Sequence, residues 1–128
     1  MSQNIFYSDL HIKLKKDLSQ NITIVKDAES VRQSIKMILS TFPGERIMEP
    51  EFGSRVRELL FEPLDDVTSN LLRSEIRNAI EKWENRVSVS SVDVNPNYDS
   101  NYYDVMINMT VLEIDADVVF EGKIRVIL

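Results

Sequence analysis

The chain is poor in the residues on which most recognisable enzyme chemistry depends: its 128 residues include no cysteine, one histidine and three glycines. Without cysteine there is no disulfide framework, no thiolate nucleophile and no cysteine-based zinc or iron–sulfur site. His11 alone cannot build a multi-histidine metal centre. Gly44, Gly53 and Gly122 are too far apart to spell a dinucleotide-binding fingerprint or a phosphate-cradling loop in any register. No cofactor is therefore expected. Long apolar runs are also lacking; the longest hold three residues, as at Leu59-Leu60-Phe61, too few to cross a bilayer.

Positive charge is scarce as well. Fifteen Lys and Arg stand against 21 Asp and Glu, a net charge of −6. Nucleic-acid binding needs a basic footprint, so nucleic acid is not an expected partner, and the same repulsion disfavours anionic membranes and cell-wall polymers. The opening Met1-Ser2-Gln3-Asn4 has neither the basic segment nor the apolar stretch of a secretion signal. What is present is an ordinary globular mixture, 43% hydrophobic and 28% charged. It is enough to build one core, and residues 1–128 read as a single domain.

The pattern along the chain is α+β: two main helices packed on a three-stranded antiparallel meander, with an extended N-terminal arm. Residues 1–26 read as that arm, with one or two short strands in which Ile12 and Leu14 alternate with charged positions. Asp27 is placed to cap a first helix whose Ala28, Val31, Ile35, Ile38, Leu39 and Phe42 recur at helical spacing. Pro43-Gly44 stops it. From Glu45 to Asp66 the pattern is irregular, with a short helical turn around Val56–Leu60. This stretch carries seven acids and three arginines, and Ile47, Met48, Phe52, Val56, Leu59, Leu60 and Phe61 are expected to pin it to the core. Connections of this length in small domains are usually functional. A second helix runs from about Asp66 to Trp83 with a stripe of Val67, Leu71, Leu72, Ile76, Ala79, Ile80 and Trp83.

The last third reads as strands. The apolar phase shifts from Val87 and Val89 to Val92 and Val94, as a β-bulge at Ser90-Ser91 would produce. A hairpin loop at Pro96–Asn101 leads to a strand alternating through Tyr103, Val105, Ile107, Met109 and Val111. Asp115-Ala116-Asp117 then turns the chain into a final strand. That strand places Val118, Phe120, Ile124, Val126 and Leu128 on one face and Glu121, Lys123 and Arg125 on the other. Edge strands invite pairing, so these three charges either protect the edge or flank a docking site to which a partner adds a strand.

The segment Arg46-Ile47-Met48-Glu49-Pro50-Glu51-Phe52-Gly53, followed by Leu59-Leu60-Phe61-Glu62, resembles the small baseplate wedge subunit of contractile-tailed bacteriophages. That family is related to the small baseplate subunit of type VI secretion systems. Tyr7-Ser8-Asp9-Leu10, the long second helix, the junction Trp83-Glu84-Asn85-Arg86 and the terminal hairpins follow in the family's order, so the likeness spans essentially the whole chain. The resemblance implies a structural subunit of the virion tail baseplate, assembled in the host cytoplasm. Its partners would be the larger wedge proteins and the tail sheath protein, and the sheath would be accepted by strand-edge pairing. At the junction the family commonly carries Glu-Pro-Arg; Glu84 and Arg86 match and Asn85 replaces the proline. The resemblance carries Glu84 and Arg86 over as partner-binding residues, against the alternative of a plain surface salt bridge. Pro50, Phe52, Gly53 and Arg46 join them, Arg46 as an interface anchor or as a counter-charge to its acidic neighbours. The opening Tyr7-Ser8-Asp9 favours a phage over a type VI secretion or tailocin baseplate, in which the chain would be a strand-adding adaptor.

Members of this family are often labelled lysozyme-like, which makes a peptidoglycan hydrolase the competing reading. Glycoside hydrolysis needs two carboxylates across a cleft, one of them with a raised pKa. Glu45, Glu49, Glu51, Glu58 and Glu62 supply carboxylates, but 21 acids in 128 residues produce such clusters by chance. The expectation is a chain that is not an enzyme.

Overall fold

The computed structural model describes residues 6–7, 13–14, 22–113 and 115–126. Its elements are β1 (Phe6–Tyr7), β2 (Lys13–Leu14), α1 (Ile22–Ser40), α2 (Val56–Leu59), α3 (Asp66–Trp83), β3 (Val87–Asn97), β4 (Tyr102–Val111) and β5 (Ala116–Arg125). The α+β class is as read from the pattern. His11 and the Ser8–Ile12 part of the arm lie outside the described residues, as does Leu128.

The sheet is antiparallel with the order β1-β5-β4-β3, and β2 also pairs with β5. The β3–β4 ladder shifts register between Val89 and Ser91. This is the bulge signalled by the change of apolar phase, and it returns Val92 and Val94 to the core face after the slip. Asn101 and Asp115 turn the two hairpins with positive φ of 59° and 48°, a conformation that Asn and Asp tolerate better than most residues.

Helix α1 begins at Ile22, five residues before the expected cap, so the Ile22–Val25 part of the predicted arm is helical. β-branched residues lean toward strand, but propensity is a weak prior that tertiary context overrides. Asp27 is therefore interior to α1, where its charge acts on Arg86. At the other end, the Thr41 N–H and hydroxyl both donate to the Met37 carbonyl, at 3.0 and 2.7 Å, and the helix closes before Phe42.

Helix α3 has the expected bounds and is capped by Asp65, whose carboxylate accepts the Thr68 N–H at 2.7 Å. Its buried face is rotated from the expected stripe. Leu72, Ile76, Ala79 and Ile80 are buried, but Val67 and Leu71 are 68% and 52% exposed, and Thr68 and Ser69 face inward instead. The Ser69 hydroxyl reaches back to the Asp65 carbonyl at 2.9 Å, so the inward polar groups of the first turn are satisfied locally.

One face of the sheet supplies Val92, Val94, Tyr103, Val105, Ile107, Phe120 and Ile124 to a core shared with Ile35, Ile38, Leu60, Leu72 and Ile80. The opposite face carries Asp93, Asn95, Met106, Lys123 and Arg125, all exposed. Among the described residues, no helix is long and apolar enough to cross a membrane.

The final strand is not a free edge. β5 pairs with β4 on one side and with β1 and β2 on the other, through Phe6↔Ile124, Tyr7↔Lys123, Lys13↔Val119 and Leu14↔Val118. The arm occupies the edge that the alternation of Glu121, Lys123 and Arg125 had suggested for docking. Those residues keep the predicted face, with Lys123 and Arg125 exposed and Glu121 half-buried.

Candidate partner-binding surface

The candidate residues fall into three groups: the irregular connection, the junction after α3 and the outer edge of β3. The first is the connection itself. After α1, Gly44 turns with φ 101° and its N–H donates to the Pro50 carbonyl at 2.7 Å, closing a loop over residues 44–50. Phe52 then enters the core and meets Trp83 edge-to-face, with ring centroids 5.2 Å apart. The Arg46 guanidinium lies 4.1 Å from the centre of the Phe52 ring and pairs with Glu49 at 3.4 Å. Gly53 has φ 123°, and a Cβ there would collide with the Thr41 carbonyl oxygen, which accepts the Ser54 N–H at 2.9 Å. Glycine at 53 is thus a close backbone approach as well as a turn.

Three of the loop's acids are matched by its arginines: Glu45 with Arg57, Glu49 with Arg46, and Glu58 with Arg55. Glu75 on α3 accepts the Arg55 backbone N–H at 2.8 Å and so holds the start of α2. A cleft of about 520 Å³ runs between this segment and α3, and Glu51 and Glu75 are the carboxylates on its wall.

The expected core role of Ile47, Met48 and Phe61 is overturned: they are 95%, 92% and 55% exposed. Gly44 and Pro50 pinch the loop closed, whereas Phe52, Val56 and Leu60 are buried as expected and Leu59 packs against the core. The sequence signal was there in the flanking acids Glu45, Glu49 and Glu51, since a core segment rarely alternates apolar residues with so many charges.

The second group is the junction. Helix α3 ends at Trp83, and Glu84 is extended at φ −118° and ψ 94°, so no left-handed residue is needed at Asn85. Glu84 is 4% exposed. Its Oε1 accepts the Arg86 N–H at 3.1 Å and Nε at 2.8 Å, and its Oε2 accepts Nη2 at 2.9 Å. These bonds hold the Glu84 carboxyl down to about 2 despite its burial, with the Ser34 hydroxyl helping. Arg86 Nη1 continues to the Ser30 hydroxyl of α1 at 3.0 Å, and the Arg86 carbonyl accepts the Leu112 N–H at 2.8 Å. Glu84 and Arg86 therefore tie α3, β3, β4 and α1 at one point. Nothing in the sequence pointed to Ser30 and Ser34, which contact the pair across the fold.

The third group is the edge of β3. Among the described residues no strand pairs with its outer side. Pro96 sits within it, and proline is tolerated only where no ladder donor is required. Arg77 of α3 donates to the Val89 carbonyl at 3.3 Å, covering the edge at the bulge and leaving the stretch 91–97 beyond it.

The sequence model of the family described as Baseplate wedge protein gp25 matches residues 25–122. The chain belongs to that family. It is 29% identical over 115 residues to the baseplate wedge protein gp25 of Enterobacteria phage T4, covering 90% of this chain and 87% of the relative. It is 33% identical over 75 residues to baseplate protein W of Escherichia phage P2, covering 59% and 65%. Among solved structures, one described as a putative tail lysozyme from Geobacter sulfurreducens superposes with a TM-score of 0.72 at 26% identity, over 78% of this chain and 91% of that one. The postcontracted baseplate of pyocin R2 contains a chain that matches with a TM-score of 0.51 at 22% identity, over 79% and 98%, a likeness of fold. The baseplate wedge resemblance read from the motifs is thus the family of the chain. The two phage relatives are named as baseplate proteins, and the word lysozyme comes from the description of the Geobacter structure, which shares the fold.

Proposed function

We propose that this gp25-family chain is a non-catalytic subunit of a contractile-tail baseplate wedge, one that joins larger wedge proteins and templates the tail sheath by strand pairing. The observation that carries the templating is the edge of β3. It is open among the described residues, whereas β5 is covered by β1 and β2. An added strand would draw on main-chain hydrogen bonds for affinity and on side chains of alternate positions for selectivity. The stretch 91–97 has room for a short strand between the Arg77-covered bulge and the hairpin turn.

In this reading the partner-binding residues divide by exposure. Arg46, Pro50 and Arg86 make contacts at the surface, while Phe52, Gly53 and Glu84, all buried, hold that surface in shape. Glu121, Lys123 and Arg125 lie on the outer sheet face of β5, which β4 and β3 separate from the docking edge, so in this reading they meet a partner through the sheet face and not through the added strand. Deleting β5 would not test the idea, because Phe120 and Ile124 belong to the core.

The absence of cysteine gives a cleaner test. Asn95→Cys places a single thiol on the exposed face of β3. Mixed under oxidising conditions with sheath protein carrying single cysteines along a terminal strand, it should form disulfide-linked heterodimers at every second sheath position, as a strand's period of two requires. Ser74→Cys, on the exposed side of α3, should form none. Equal yields from both sites, or no periodicity, would refute edge pairing.

A further inference from the structure

Strand β3 carries a single charge. Among its 11 residues, four valines and three serines included, Asp93 alone is ionised. Such a run is prone to pair with another strand wherever its edge is open, and among the described residues the outer side of β3 is open. The Arg77 guanidinium covers Val89 at one end, and Pro96 has no N–H to offer at the other. Between them, past the bulge, backbone donors run unbroken over 91–95, with Asp93 at the centre. Its side chain is exposed on the outer sheet face. Met106 stands opposite it in β4, and Asp104, opposite Asn95, adds a second acid beside it. Lys123 and Arg125 on the same face belong to β5, with β4 between, and Arg77 is paired with Glu81. Among the described residues Asp93 has no hydrogen-bond or ion-pair partner for its side chain.

We propose that Asp93 selects what adds to the β3 edge: it keeps two copies of this chain from pairing with each other and accepts a strand that brings Lys or Arg opposite it. Symmetry makes the exclusion specific. Two antiparallel β3 edges, joined with the helices of both copies on one side of the sheet, are related by a two-fold axis. The register that uses the whole of 91–95 puts that axis at Asp93. The carboxylate then faces Asp93 of the second copy with about 5 Å between Cβ atoms, and like charges directly opposite are destabilising. A slip of two residues shortens the ladder and still leaves the two carboxylates diagonal neighbours. Each copy also brings a net charge of −6. A foreign strand is not bound by that symmetry, and a basic residue at its central position turns the repulsion into attraction. The accepting half rests on the reading of β3 as the docking edge; the excluding half does not.

The full chain and its variants are compared by analytical ultracentrifugation at low and high salt. The parent should sediment as a monomer at low salt, and Asp93→Asn should self-associate about fivefold more tightly. Asp93→Lys alone should stay as monomeric as the parent, because like charges again meet on the axis. An equimolar mixture of the parent and Asp93→Lys should form heterodimers about tenfold tighter than either protein with itself, and high salt should narrow the difference. All of these chains should melt within about 2 °C of one another, since the side chain is exposed. Register is read by cross-linking. Asn95→Cys on the Asp93→Lys chain and Ser91→Cys on the parent face each other in the mixed pair and should form a disulfide, whereas Ser74→Cys in place of Ser91→Cys should form none. A mixture no tighter than the parent alone, an Asp93→Asn chain no more associated than the parent, or a mixed dimer without the 95–91 cross-link would overturn selection by Asp93. If these results hold and sheath protein fails to link to Asn95→Cys, the sheath is not the strand accepted, and the role of Asp93 at the edge stands.

Discussion

Gly53→Ala should lower stability by about 3–5 kcal/mol, a large loss for the addition of one methyl group. At this chain length that corresponds to a fall in Tm of more than about 10 °C. Two costs add. The backbone at 53 has φ 123°, where an L side chain is strained. The new Cβ would also meet the Thr41 carbonyl oxygen and carbon, which belong to backbone and cannot swing away as a side chain could. Relief requires moving Thr41, and that breaks the Ser54–Thr41 hydrogen bond and loosens Phe52 from Trp83. Gly44→Ala is the control. Its φ of 101° imposes strain, but nothing lies within 4 Å of the added Cβ, so the expected loss is about 1–2 kcal/mol. Thermal unfolding of both variants measures the contrast. A Gly53→Ala protein that melts alongside Gly44→Ala would show that close approach to Thr41 does not hold the loop.

The same pair of glycines shows how much of the fold was legible beforehand. Gly53 stood out as the turn of a Pro-Glu-Phe-Gly segment, but its collision partner lies in another part of the chain, at the end of α1. Local grammar was readable: the bulge from a phase shift, α3 from its spacing, the hairpins from their turn residues. Long-range choices were not. The β5 edge looked free because nothing in alternating Glu121, Lys123 and Arg125 says that a two-residue strand at Phe6–Tyr7 will pair beside Ile124 and Lys123. Helix α1 starts at Ile22, although Ile22, Thr23, Ile24 and Val25 favour strand by propensity, which is a weak prior. The exposed Ile47 and Met48 were assigned to the core on hydrophobicity alone, a rule that works in one direction only. For the proposed partner surface, the motif residues Arg46, Phe52 and Gly53 were readable, and Arg46 lies over the Phe52 ring in one segment. The serines that complete the Glu84–Arg86 cluster were not, since they lie far earlier in the chain, on α1.

That cluster makes the final prediction one of pH. The Glu84 carboxyl is held at about 2 by the Arg86 guanidinium and backbone N–H, against the desolvation that burial imposes. The folded state therefore binds the proton less tightly than the unfolded chain, whose carboxyl titrates near 4.5. Stability from the pair is fully present above that value and is lost as pH falls toward 2. The difference amounts to about 3 kcal/mol at neutral pH, taking 1.36 kcal/mol for each unit. Glu84→Gln keeps the shape and removes the charge, so denaturant unfolding at pH 7 should show the variant less stable by about that amount. At pH 3 the gap should shrink to about half or less, because by then the unfolded carboxyl is protonated and the folded one is beginning to be. A gap of constant size between pH 7 and pH 3 would mean that the pair acts through packing rather than charge. Arg86 is the more exposed member and is oriented by Glu84 and Ser30, so in the proposed wedge contact its guanidinium would meet a partner only while the carboxylate holds it. Wedge binding by Glu84→Gln, measured well below its Tm, should accordingly weaken at neutral pH even though the Glu84 side chain itself never reaches the surface.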